Sequence, residues 1–334
     1  MKEAGMEDER PNKGVLLLNY GGPRSEEEIL PFLEELFSDP FIFKFPGIIR
    51  RPFSRFLARR RAPKLASIYG SMGRFSPIWE ETARQAEALR EALGPAYKVF
   101  TGMRYFPSEL DRTAEEIRDS GIGELLLLPL YPQESETTTG SALAAARSSL
   151  RKAGFKGSVT EARNFFREEG FVGTLCEMLE RKLSEAGENR PKVIFAAHGL
   201  PAKLAIKDNY LDQVKETAKT IGNRLSLVVS LTNASANSWQ EAILAFQSKV
   251  GPAKWLRPSV EEVIEEWGEA GCKSVLVVPI SFVSEHSETL YEIDIVYREM
   301  AKEREMRFDR LPTVGCDARF IGALAAVARR KLNG

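Results

Sequence analysis

The apolar positions of this chain fall into short unbroken runs separated by longer stretches of helical period. The runs are GVLLLNY (14–20), YKVFTGMRY (97–105), ELLLLPLY (124–131), KVIFAAH (192–198), LSLVVSL (225–231) and SVLVVPISF (274–282). A strand with one wet face alternates apolar and polar residues; these runs do not, the condition of parallel strands covered on both faces. SPIWEETARQAEALREAL (76–93) and SVEEVIEEWGEAG (259–271) instead space their apolar residues as helices do. The alternation predicts an α/β fold of two similar doubly wound lobes, with parallel sheets and a cleft between them. In such sheets ligands gather beyond the carboxyl ends of the strands. The residues that close each run are therefore the candidates for chemistry.

The pattern also repeats. GVLLLNYGGP (14–23) aligns without gaps on KVIFAAHGLP (192–201), and GIGELLLLPLYPQESETTTG (121–140) on GCKSVLVVPISFVSEHSETL (271–290). Read as a duplication, this sets Tyr20 opposite His198 and Thr138 opposite Glu288. The expected divisions are a disordered polar lead-in at 1–13, a first lobe at 14–165, a second at 166–316 and a closing helix at 317–334.

A length of 334 residues, 43% hydrophobic, suits two buried cores better than one. Lys plus Arg and Asp plus Glu both number 47, so no charge imbalance points to a nucleic acid. The start, MKEAGMEDERPNKG, lacks the apolar centre of a signal peptide, and no run approaches the roughly 18 apolar residues of a membrane span, so a cytoplasmic protein is expected. Cys176, Cys272 and Cys316 are too widely spaced for a metal clip or a disulfide framework. FPGIIRRPFSRFLARRRAPK (45–64) mixes aromatics with arginines. It is either a plain basic helix or a lip for an anionic apolar ligand or a peripheral membrane contact.

The chain holds only two histidines. His198 ends an apolar run where the chain turns through Gly199 and Pro201. His286 lies in SFVSEHSETLYEID, with Ser284 or Ser287 as the expected cap of the helix that follows. Glu285, Glu288 and Glu292 stand at i, i+3 and i+7, on one helical face. Asp294 has Arg298 four residues on, but Glu288 has only Glu292 there. Like charges so spaced cost a helix roughly a few tenths of a kcal/mol unless a cation or a proton offsets them. An imidazole with one or two carboxylates can hold a transition metal with positions left open, or move protons near neutral pH. The thiolates or third imidazole of a closed zinc site are missing. YPQESETTTGS (131–141) lacks the Gly-x-x-x-x-Gly-Lys of a nucleotide loop.

Several motifs now resemble, in order and over nearly the whole chain, those of the ferrochelatases, which insert ferrous iron into a porphyrin. They are RRAPK (60–64), GSMGRFSPI (70–78), GMRYFP (102–107), YPQESETTTGS, AAHGLP (196–201), QSKVGPAKWL (247–256) and FVSEHSETLYEID (282–294). The resemblance implies that His198 is the catalytic histidine and Glu288 the carboxylate facing it, the two also being the metal-binding positions. His286 and Glu292 match supporting residues, and Tyr20 a tyrosine of certain bacterial members. Arg61, Tyr69, Ser76 and Ser248 match positions that meet porphyrin propionates in some members, with 41–78 as the porphyrin lip. Arg104 and Trp255 match pocket-lining residues. Val296 stands at the third step of an acidic rail present in some relatives. The chain ends at Gly334 without a cysteine-rich tail, so no iron–sulfur cluster and no prosthetic group are expected.

The resemblance further implies protoporphyrin IX or coproporphyrin III as substrate, Tyr20 leaning toward the second. A chelatase for another divalent metal such as cobalt, or a bilobed porphyrin carrier without chemistry, are the rival readings of the residues. The oligomeric state is not legible.

Overall fold

The computed structural model describes residues 12–44, 46–187, 189–205, 208–231, 242–248 and 253–333. Most of the lead-in and the KVGP segment of the QSKVGP motif lie outside the described residues. The first sheet holds β1 (Lys13–Asn19), β2 (Tyr97–Met103), β3 (Glu124–Pro129) and β4 (Ser158–Glu161), in the order β2-β1-β3-β4 and parallel throughout. The second holds β5 (Lys192–His198), β6 (Val229–Ser230), β7 (Ala242–Gln247), β8 (Ser274–Pro279) and β9 (Arg307–Arg310), in the order β6-β7-β5-β8-β9, also parallel. Apart from the edge strand β6, the second order reproduces the first, with β5 in the place of β1 and β8 in that of β3. The aligned repeats are thus the central strand pairs of two like sheets.

The helices of the first half are α1 (Ile29–Phe37), α2 (Gly47–Met72), α3 (Ile78–Leu93), α4 (Pro107–Asp119), α5 (Ser141–Ala153) and α6 (Glu169–Glu185). The second half adds α7 (Ala202–Ala205), α8 (Tyr210–Arg224), α9 (Val260–Glu269), α10 (Arg298–Lys302) and α11 (Ala318–Asn333). Two π-helical segments, Glu136–Gly140 and Glu288–Tyr297, occupy equivalent places after β3 and β8. Segments of this kind recur at functional sites.

Alternate residues of each strand enter different cores, as a period of two requires. Leu16, Leu18 and Leu127 pack outward beneath α4 and α5, while Ile194, Ala196 and Val277 pack beneath α9 and the second π-helical segment. Val15, Leu17 and Leu126 instead share one buried cluster with Val193, Phe195 and Leu244, joined through Phe171 and Leu175 of α6 and Phe320 and Leu324 of α11. The two sheets therefore sit against a common layer of helices, and α11 returns to pack on α3, β3 and β4 of the first sheet.

Four expectations need correction. Lys13 already belongs to β1, and Asn12 accepts a hydrogen bond from the Gly123 amide, so the lead-in is ordered at its end. Among the described residues LSLVVSL pairs only at Val229–Ser230, at the sheet edge, with Val228 exposed. YKVFTGMRY and SVLVVPISF end as strands at Met103 and Pro279, sooner than their apolar runs. Strands β4, β7 and β9 have no counterpart among the runs read from the sequence.

Candidate active site

In an open parallel sheet, the crevice opens where neighbouring strands send their connections to opposite faces. In the second sheet that point lies between β5 and β8. His198 is the last residue of β5, Gln247 is its register partner at the end of β7, and Glu288 begins the π-helical segment after β8. Three strand ends thus deliver their side chains to one place.

The His198 Nδ1 lies 2.8 Å from Glu288 Oε2, with 30% and 29% of the two side chains exposed, so the pair is open to the cleft. The Tyr210 hydroxyl donates to the His198 carbonyl at 2.8 Å and fixes the strand end. Burial works against charge on His198, but the Glu288 carboxylate beside it outweighs this and raises its pKa. Burial likewise works against the Glu288 carboxylate, yet the imidazolium and the Ser248 hydroxyl bring it down to about 2. The unliganded pair accordingly favours imidazolium and carboxylate.

The Ser248 hydroxyl stands 2.8 Å from Glu288 Oε2 and also meets Glu292 Oε2, while its backbone N–H donates to Glu292 Oε1 at 2.9 Å. Gln247 adds bonds from its amide to Glu292 Oε2 and to the Glu288 carbonyl. A hydroxyl carries one proton and cannot donate to both carboxylates at once. Glu292 resolves this in its protonated form, which is well populated near neutral pH: burial and then the Glu288 charge push its pKa up to about 7. Ser248 takes this position through a left-handed backbone, φ 68°.

His286 is 1% exposed, and its Nδ1 faces the Ser284 carbonyl at 2.9 Å. A carbonyl only accepts, so Nδ1 carries the proton and Nε2 is the free acceptor; no partner reaches Nε2 among the described residues. Burial lowers its pKa, so the ring is neutral. Its ring meets Tyr20 edge-on at 5.6 Å, bringing the repeat-related strand end of the first sheet to the same cleft. Phe282 packs between both imidazoles, 4.4 Å from His286 and 6.1 Å from His198.

The remaining expected residues divide. Tyr69 of α2 is buried with its hydroxyl beside Ser287 and Ser76, and burial pushes its pKa up to about 12. Ser248, expected among the propionate contacts, is found between the two carboxylates instead. The Arg104 guanidinium lies 3.1 Å from the buried Asp39 and also donates to Ser141. Trp255 is half-buried in a bridge with Pro201, beside Gly199. Arg61 is half-buried on α2 without a carboxylate partner among the described residues.

Neither serine caps as expected. The Ser284 hydroxyl donates to Gln85, and Ser287 makes no cap bond. Glu285 also leaves the acidic row, because the chain is not yet helical there. It turns to Arg310 at 3.0 Å, and after the opposing effect of burial this cation keeps its carboxyl low. Val296 packs in the core beneath α9 rather than beside Glu292. Gln247 and Tyr210 were missed altogether, Gln247 because its strand was missed. Among the described residues no three acidic, imidazole or thiol side chains are gathered to cage a metal.

Two sheets of matching order, with a site between their carboxyl edges, define the chelatase fold. The sirohydrochlorin chelatase of Bacillus subtilis subspecies spizizenii, solved in complex with cobalt, superposes with a TM-score of 0.52 over 96% of both chains, at 11% identity. The ferrochelatase family profile matches residues 12–332, and the chain belongs to that family. The ferrochelatase of Aquifex aeolicus is 40% identical over 96% of this chain and 99% of its own. The chloroplastic ferrochelatase-2 of rice is 39% identical over 93% of this chain, which spans 60% of that longer protein.

Proposed function

We propose that this protein inserts ferrous iron into a free-base porphyrin, protoporphyrin IX or coproporphyrin III, in haem synthesis, and that His198 and Glu288 carry the step. The observation that carries the reading is the His198–Glu288 pair, 2.8 Å apart with 30% and 29% of the side chains exposed, joined through Phe282 to the Tyr20–His286 contact. Insertion exchanges a dication for two pyrrole protons, so the site must bind one and accept the others. In the unliganded site the Glu288 charge holds a proton on His198. A dication taken up at Glu288 removes that hold, and the imidazole becomes a base when pyrrole protons must leave. His198 releases its first proton to solvent as the dication arrives and then takes one pyrrole proton. Once Glu288 has given up the metal, the other passes through Glu288 and the Ser248 hydroxyl to Glu292, whose pKa of about 7 leaves it partly ionised near neutral pH. Iron enters as substrate, and the scheme needs no prosthetic group.

Among the described residues, Arg51, Arg55, Arg59, Arg60, Arg61 and Lys64 on α2 have no ion-pair partner, which supports a role in meeting the carboxylates of an anionic macrocycle. The same helix exposes Ile48 by 89%, Ile49 by 57% and Phe56 by 63%. No described helix is long and apolar enough to cross a membrane. We assign this end of α2 to peripheral contact with an anionic membrane surface, from the cytoplasmic side. Anaerobic loss of free-base fluorescence on adding ferrous iron tests the reading. Turnover with either porphyrin is expected, and the ratio of kcat/KM values names the substrate. Turnover with cobalt but not ferrous iron, or porphyrin binding with no turnover at all, would overturn it.

A further inference from the structure

The segment that presents His286 and Glu288 is held from outside its own sheet. Gln85, on α3 of the first half, is fully buried. Its side-chain N–H groups donate to the Val283 carbonyl at 2.8 Å and the Gly315 carbonyl at 3.0 Å, and its carbonyl accepts from the Ser284 hydroxyl at 3.0 Å. This pattern fixes the orientation of the amide, because the flipped form would set carbonyl against carbonyl. One side chain thus ties α3, packed on β1 and β2, to the connections that follow both β8 and β9. Ser284, held by its hydroxyl, offers its own carbonyl to His286 Nδ1. The bond from Gln133 to the Ile280 carbonyl secures the start of the same segment.

We propose that Gln85 is a positioning residue for metal insertion. Through Ser284 it fixes the tautomer and angle of His286, whose Nε2 is buried without a partner among the described residues, and through Val283 it sets where the π-helical segment starts and so where Glu288 stands. The Tyr20–His286 contact depends on the same tie, since one ring rides on β1 and the other on this segment. Val283 keeps a second donor, the Gly315 amide at 3.1 Å, so the fold is not dependent on Gln85 alone.

The test uses Gln85→Leu, which fills the space without hydrogen bonds, and Gln85→Glu, which keeps the acceptor and removes both donors. A misplaced catalytic group lowers turnover by about ten- to a hundredfold, and porphyrin affinity should change by less than about twofold. The kinetic arm rests on the chelatase reading; the second arm does not. In a His198→Ala background His286 is the sole histidine, so the imidazole 15N spectrum reports it alone. The parent background should show a protonated Nδ1 and a bare Nε2, and Gln85→Leu should move both signals toward a tautomer average. Should Gln85→Leu fail to fold, Ser284→Ala removes only the last link and should produce the same shift, smaller. An unmoved His286 spectrum in these variants would overturn the proposal. So would a parallel loss of porphyrin binding and turnover, the mark of a merely structural role. A parent protein inactive with every metal would instead overturn the chelatase reading, and the spectrum would still decide the positioning role.

Discussion

Glu288 reaches His198 across ninety positions of sequence, its Oε2 2.8 Å from the imidazole Nδ1, because β5 and β8 are neighbours in one sheet. The charge of one partner sets the proton of the other. Glu288→Gln keeps the shape and removes the charge, so the raised pKa of His198 should fall, with imidazolium lost at lower pH than in the parent protein. Two-dimensional NMR of the two imidazoles measures this. Metal insertion should drop by about 10²–10⁴-fold, the usual worth of a positioned proton carrier, while porphyrin still quenches protein fluorescence on binding. Unchanged turnover would remove Glu288 from the chemistry.

Ser248 separates the charge on Glu288 from the proton on Glu292, and its hydroxyl is one of the influences that hold the Glu292 pKa down. Ser248→Ala should therefore raise that pKa further above about 7, and Glu292 should release its proton only in more alkaline solution. The pH profile of kcat should shift upward with it. Alanine suffers in the left-handed backbone conformation much as serine does, so the stability lost should be that of the hydroxyl's bond to a carboxylate, about 1.5–3 kcal/mol. A profile that stays in place would sever Glu292 from the relay.

The central strands and the two proposed catalytic positions were legible because each reports itself locally. VIFAA and LLLLP are apolar without alternation, and the aligned repeat sets His198 opposite Tyr20 at the strand ends and Glu288 opposite Thr138 in the connections beyond them. Strand β7 was not legible: AILAFQ is rich in residues that suit a helix, and its burial between β5 and β6 overrides that preference. Gln247 was lost with it. Strands β4 and β9 have four residues each, too few to show a period. Gln85 reads as one more polar residue on an amphipathic helix until the packing of the two halves buries it. The place of Ser248 depends on a positive φ that serine does not advertise.

Arg310 joins Glu285 at 3.0 Å and Asp294 at 2.8 Å with a tenth of its side chain exposed. Leucine there would leave a buried carboxylate uncompensated, at a cost of about 3–5 kcal/mol. The pH dependence should change sign. In the parent protein the lowered pKa of Glu285 contributes stability above the unfolded carboxylate value, about 4.3, and that contribution fades as pH falls through the folded value. Without Arg310, burial dominates and raises the folded pKa, so the group opposes folding increasingly as pH rises past the unfolded value. Urea denaturation of both proteins at pH 7 and at mildly acidic pH should show the destabilisation shrinking in acid. An equal loss at both would assign it to packing.

The apolar end of α2 makes the last prediction separable from the fold. Ile49 and Phe56 are exposed and lie seven residues apart, on one helical face of an arginine-rich helix. Exchanging both for glutamate removes no buried contact, so stability should stay within about 0.5 kcal/mol per site. The parent protein should sediment with vesicles containing phosphatidylserine more than with pure phosphatidylcholine. Added salt should release it, since screening weakens attraction between arginines and an anionic surface. The double variant should remain in solution yet insert metal into detergent-dispersed porphyrin at the parent rate. Equal sedimentation of parent and variant would show that this face does not meet the membrane. Loss of turnover in the variant, with vesicle binding unchanged, would instead place the face at the porphyrin.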